Sequence, residues 1–109
     1  MISVTFHKAG SGEYKGFTCS GHAGFDVYGK DIVCASVSVL VINTVNSLEE
    51  IAKEQITVET DEEQGIIACQ LEHAPNEAAK VLLDSLVLGL SQIEKQYGKQ
   101  YCKLKFEEV

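Results

Sequence analysis

The run from Ile32 to Ile51 constrains this chain more than any other stretch. Val37, Val39 and Val41 alternate with Ser36, Ser38 and Leu40, and β-branched residues are frequent, so local propensity leans towards strand. Length decides against it, because a run of about 20 residues outlasts an ordinary strand. A helix also sorts the side chains sensibly. Val37, Val41, Val45 and Leu48 form an inward stripe, while Cys34 and Ser38 stack one turn apart. Apolar residues on its remaining sides predict a helix covered by more than its own sheet.

The other elements arrange themselves around that helix. Ile2, Val4 and Phe6 alternate with Ser3, Thr5 and His7, the period of a half-buried strand. A turn through Gly10, Ser11 and Gly12 leads to a second strand. There Phe17, Cys19 and Gly21 share one face, and Thr18, Ser20 and His22 the other. Ile56 to Thr60 and Ile66 to Glu72 read as a hairpin around the turn Asp61-Glu62-Glu63-Gln64-Gly65. Pro75 suits the first position of a second helix, with Glu77 in its acidic first turn. Ala79, Leu82, Leu83, Leu86, Leu90, Ile93 and Tyr97 make its apolar stripe, and Gly98 ends it. Tyr101 to Phe106 closes the chain as a strand. The order ββαββαβ predicts an α+β fold in one domain over residues 1–109. It is a two-layer sandwich: two helices on one face of a mostly antiparallel sheet, the other face left to solvent or a partner subunit.

Composition narrows the function classes. A net charge of −7 argues against a phosphate backbone as partner, since that needs clustered Lys and Arg. It is compatible with a basic peptide. Cys19, Cys34, Cys69 and Cys102 are widely spaced, without a CxxC pair. With no signal peptide at Met1-Ile2-Ser3-Val4, this predicts a reduced cytoplasmic protein rather than a disulfide scaffold. The apolar run Ile32 to Val45 is interrupted by Cys34, Ser36, Ser38, Asn43 and Thr44, which reads as too short and too polar for a membrane span. A soluble protein is expected.

Chemistry concentrates just before and inside the long helix. Gly21, Gly24 and Gly29 mark a loop able to take backbone angles that other residues avoid. Asp31 stands three residues before Cys34, the spacing of an N-cap whose carboxylate receives the amide of the third helical residue. Cys34 then falls in the first helical turn, where free N–H groups and the helix dipole favour a thiolate. His22, 12 residues earlier at a strand end, completes a possible nucleophile–base pair.

The string GHAG followed by YGKDIVCASVSVL resembles the signature of the ribosomal-processing cysteine proteases. The length and element order fit that family, so the resemblance covers essentially the entire chain. It implies a cytoplasmic endopeptidase without cofactors that trims the N-terminal extension of a large-subunit ribosomal protein, cutting beside aromatic residues. Cys34 is then the nucleophile and His22 its base. The amides around Cys34 and Ala35 are expected to hold the oxyanion, a contribution worth about 3 kcal/mol in other enzymes. Asp31 is assigned to positioning, and Ser38 to donating a hydrogen bond into the site. Gly21, Gly24, Phe25, Tyr28 and Gly29 belong to the loop that clamps substrate. A homodimer is expected from the small size, the apolar first helix and the resemblance.

Three rival readings use the same residues. Cys19-Ser20-Gly21-His22 has CxxH metal spacing, with Cys34 as a third ligand, but strand alternation sets Cys19 and His22 on opposite faces. A non-catalytic ribosome-assembly factor would bind the same extension without cutting it. A redox-sensing thiol would need a resolving cysteine, and none is evident nearby in sequence. Cys19, Cys69 and Cys102 read as core fillers, and His7 and His73 as surface or strand-end residues.

Overall fold

A computed structural model describes residues 1–21 and 30–109, the side chains of Lys30 and Asp31 excepted. The elements are β1 (Ile2–Lys8), β2 (Tyr14–Ser20), α1 (Lys30–Glu50), β3 (Ile56–Asp61), β4 (Ile66–Leu71), α2 (Glu77–Tyr97) and β5 (Cys102–Glu108). This is the predicted ββαββαβ order. The strands form one sheet in the order β3-β4-β2-β1-β5. β1–β2, β2–β4 and β3–β4 pair antiparallel, whereas β1 and β5 run parallel. The parallel pair follows from α2, a crossover long enough to return the chain in the same direction.

Alternation along the strands sorts the two faces. Ile2, Val4, Phe6, Phe17, Cys19, Cys69, Leu71 and Cys102 point into one core with both helices. Phe6 anchors it, with Phe17 at 5.7 Å and Tyr14 at 6.0 Å between ring centroids. From α1 come Val33, Val37, Val41 and Leu48, and from α2 Ala79, Leu83, Leu86, Leu90 and Ile93. Each fully buried Val, Leu or Phe among them contributes about 1.5–3 kcal/mol of transfer free energy. The helices approach closely where Gly89 faces Leu40. A Cβ at Gly89 would lie 2.9 Å from the Leu40 Cδ1 atom.

Four expectations shift. α1 starts at Lys30, so Asp31 is its second residue rather than its cap. Val45 only packs at the core margin; Thr44 and Ser47 are buried instead, and the Thr44 hydroxyl donates to the Leu40 carbonyl at 2.7 Å. That bond satisfies the hydroxyl inside the helix and lets it replace an apolar side chain. Pro75 precedes the start of α2, which Asn76 caps by accepting the Ala79 amide at 2.9 Å. α2 covers α1 beyond its own sheet, as the apolar pattern predicts, yet Ile32, Val39 and Ile42 stay exposed, as do Val81 and Leu88 of α2. By length and composition Ile32–Glu50 is also apolar enough to cross a membrane, against the reading from the shorter run. Its inner side instead joins the core.

Asn76 ties α2 to the end of α1. Its Nδ2 donates to the Ala52 carbonyl at 2.8 Å, and its backbone N–H donates to Glu54 at 2.7 Å. Asn76→Ala removes the cap and the Ala52 bond, and should lower unfolding free energy by about 1–2 kcal/mol. Asn76→Asp keeps the cap acceptor and should lose less. Urea denaturation followed by circular dichroism compares the two.

Candidate functional site

Cys34 is the fifth residue of α1 and is half-buried at the edge of the core. The helical period explains its place. Val33 and Val37 point into the core, so Cys34 and Ser38 lie beside that stripe, one turn apart. In a helix that begins at Lys30, the ladder takes up the amides of Cys34 and Ala35, which bond back to the carbonyls four residues earlier. Ala35 follows Cys34 in the same helical turn and is exposed. Ser38 keeps a hydroxyl at the site.

Cys34 and Ser38 open into a cleft of about 320 Å³. Its helical wall is Cys34, Val37, Ser38 and Val41, and Ile2, Cys19 and Gly21 close it from the ends of β1 and β2. The opposite wall is the end of the β3–β4 hairpin: Thr60, Asp61, Glu62, Gly65, Ile66 and Ile67. Gly21 is fixed there by two constraints. Its φ is +95°, and a Cβ would lie 2.2 Å from the Met1 carbonyl oxygen. No other residue fits so close to a neighbouring backbone.

The remaining cysteines are set apart by burial. Cys19 is 8% and Cys69 3% exposed, and burial, first among the causes, pushes both thiols up to about 11. For Cys19 the neighbouring Cys102 and Cys34 add to the shift, and for Cys69 Glu49 does. Burial, then Glu94, raises Cys102 as well. All three stay protonated near neutrality, as core residues do. Cys19 nevertheless borders the Cys34 cleft, a proximity that the linear chain hides. Two histidines lie elsewhere. His7 Nε2 pairs with the Thr18 hydroxyl at 2.9 Å on the far face of the sheet, and His73 Nε2 pairs with Gln55 at 2.9 Å. A larger cavity, about 380 Å³, lies on that far face beside His7, Lys15 and Glu59. Its one cysteine, Cys69, is buried, so it offers no accessible thiol, and the smaller cleft is the better candidate.

Of the residues singled out in the sequence, the cleft brings together Cys34, Ser38 and Gly21. Ala35 is exposed on the helix outside the cleft lining. His22, Gly24, Phe25, Tyr28 and Gly29 lie outside the described residues, as does the Asp31 side chain. Among the described residues, no group of three or more His, Cys, Asp or Glu gathers as a metal site. Sequence reasoning missed Ile2 and the hairpin end. Asp61 to Gly65 reads only as a turn, and nothing local tells that it folds opposite the start of α1.

The sequence profile of the family described as cysteine protease Prp matches residues 1–102. This chain belongs to that family. It is 27% identical to the ribosomal processing cysteine protease Prp of Staphylococcus aureus over 99 residues, covering 91% of this chain and 93% of the relative. The Bacillus subtilis protein of the same name is 27% identical over 101 residues, covering 89% and 90%. A crystal structure of the S. aureus protease with a covalently linked product peptide superposes with a TM-score of 0.87 at 26% identity, over 98% of this chain and 100% of that one. SMU.848 from Streptococcus mutans gives 0.88 at 30% identity, over 100% and 96%. This chain is thus a cysteine protease of the Prp family.

Two outcomes test the site. Iodoacetamide at pH 7.5 should label Cys34 alone in folded protein and all four cysteines after denaturation, read by peptide mapping. Alkali should destabilise the fold. A thiol raised to about 11 when folded and near 9 when unfolded favours the folded state below pH 9 and loses that preference as pH climbs through 11. Thermal midpoints should therefore fall between pH 9 and 11, and less so in Cys69→Ala compared with its own value at pH 8.

Proposed function

We propose that this protease removes the N-terminal extension of a large-subunit ribosomal protein through a Cys34–His22 dyad. One observation carries the reading: Cys34 alone among the four cysteines is both outside the buried set and on the wall of a cleft able to take a peptide. Gly21, the residue before His22 in the chain, borders the same cleft, while His7 and His73 do not. The S. aureus relative, named for ribosomal processing, supports the substrate class, and its peptide complexes support a peptide partner.

The chemistry follows from the residue types. His22 takes the Cys34 proton, and the thiolate attacks the scissile carbonyl. The C–N bond breaks as His22 returns the proton to the leaving amine, leaving a thioester on Cys34. Water, deprotonated by His22, then attacks the thioester and releases the carboxylate and the thiol. Ser38, one turn along, can donate to the substrate. Asp31 serves to position the start of the helix, and Phe25 and Tyr28 to hold substrate from the loop.

Four free thiols fit a reducing cytoplasm. Two copies are proposed to associate through the exposed apolar residues of the helices, Val39 and Ile42 with Leu88. Val39→Asp should then convert a dimer to a monomer in analytical ultracentrifugation, and a monomer before substitution would remove the dimer.

The decisive experiment is mass spectrometry of a peptide spanning the extension, incubated with the protein or its Cys34→Ala variant. A single cut made only by the unaltered protein is expected. His22→Ala should lower kcat by roughly 10²–10⁴-fold. Cutting by Cys34→Ala would overturn the mechanism. Tight binding by both proteins without a cut would favour a non-catalytic assembly factor.

A further inference from the structure

Cys19 is a second sulfur at the cleft, and the chemistry above leaves it unused. Of the four thiols, Cys19 and Cys34 border that space, while Cys102 is fully buried and Cys69 borders the far-face cavity. β2 carries Cys19 on the inner face of the sheet, between Val4 and Ile67 of the neighbouring strands. α1 packs Cys34 against the same core. The two sulfurs lie near enough for Cys34 to add to the upward shift of the Cys19 thiol. Their exposure differs: Cys34 is half-buried and opens into the cleft, whereas Cys19 is 8% exposed. A small oxidant from solvent therefore meets Cys34 first, and Cys19 is the thiol beside the product. Both stand near element ends, Cys34 at the fifth position of α1 and Cys19 next to last in β2. A disulfide needs Cα atoms within roughly 7 Å, and element ends open towards such geometry at low cost.

We propose that Cys34 and Cys19 form a reversible disulfide under hydrogen peroxide, a switch that silences Cys34 and shields it from irreversible oxidation. The bond forms whether or not Cys34 and His22 act as a dyad; its effect on turnover rests on that reading. The Cys34 sulfur attacks one peroxide oxygen, the O–O bond breaks, and the thiol proton leaves with the other oxygen as water. Cys34 is then a sulfenic acid. The Cys19 sulfur attacks the Cys34 sulfur, the S–O bond breaks, and hydroxide departs with the Cys19 proton as a second water. Two thiols are oxidised to one disulfide, and both peroxide oxygens are reduced. Burial holds Cys19 as the thiol at neutral pH, so the second step is the slower one. Excess peroxide then carries a fraction of Cys34 on to sulfinic acid.

The test treats folded protein with graded hydrogen peroxide, blocks remaining thiols with iodoacetamide in denaturant, and digests without reductant. Trypsin cuts after Lys30, so Cys19 and Cys34 fall on separate peptides. Mass spectrometry should find those two peptides linked, in monomeric protein, and dithiothreitol should part them. The link should persist in Cys69→Ala and be lost in Cys19→Ala, where Cys34 should advance to sulfinic and sulfonic acids. Turnover of the extension peptide should fall as the link forms. Dithiothreitol should restore it in the unaltered protein and not in Cys19→Ala. Cys34 unmodified, or oxidised while Cys19 stays free, would overturn the switch, as would a bond joining Cys34 residues of two molecules. So would equal recovery of turnover in Cys19→Ala. The peptides of the unaltered protein decide the matter even if Cys19→Ala fails to fold. Linked peptides from a protein that never cuts would sink the dyad and keep the disulfide.

Discussion

The burial of one side of α1 against the sheet and α2 is the constraint on which the rest depends. Val33, Val37, Val41 and Leu48 reach essentially zero exposure, and together they fix the rotation of the helix about its own axis. With rotation fixed, the neighbouring positions are determined as well. Cys34 and Ser38 come to the core margin, where, among the described residues, the sheet's inner face at β3 and β4 is left open. A cleft forms because a straight helix cannot cover a twisted sheet evenly from end to end. Core packing and cysteine placement are therefore one event, and a change in the first displaces the second.

The proposed chemistry would exploit a gradient of burial among four identical side chains. Cys19, Cys69 and Cys102 sit on strand positions that face the core, so desolvation keeps their thiols neutral. Cys34 is on a helix, one position off the buried stripe. A half-buried sulfur in a cleft keeps both access to a peptide and an apolar surrounding that excludes water around a reacting carbonyl. Gly21 contributes from the other side by letting the β2 end pass within contact of the Met1 carbonyl, which draws the cleft closed near Cys34.

The outer side of α1 has a different logic. Ile32, Val39 and Ile42 remain in solvent although they are as apolar as the buried stripe. A monomer gains nothing from them, and they account for the nearly uniform hydrophobicity that made the segment ambiguous. The β3–β4 turn beside the cleft is held by the Gln64 amide on Asp61 Oδ1 and the Gly65 amide on the Glu62 carbonyl.

Much of this was legible in the chain. Alternation in β1, the 3–4 spacing in α2 and the punctuation by glycine gave the element order, because those patterns record local geometry and one-sided burial. The GHAG and YGKDIVCASVSVL segments marked Cys34 and His22 as a pair worth testing. Tertiary structure alone decided the parallel β1–β5 pairing and the start of α1 at Lys30. It alone brought Cys19, Gly21 and the β3–β4 hairpin end to the Cys34 cleft. The reason is physical. Periodicity reports which side of an element is dry, but not which distant element dries it, and a cleft is made of distant elements.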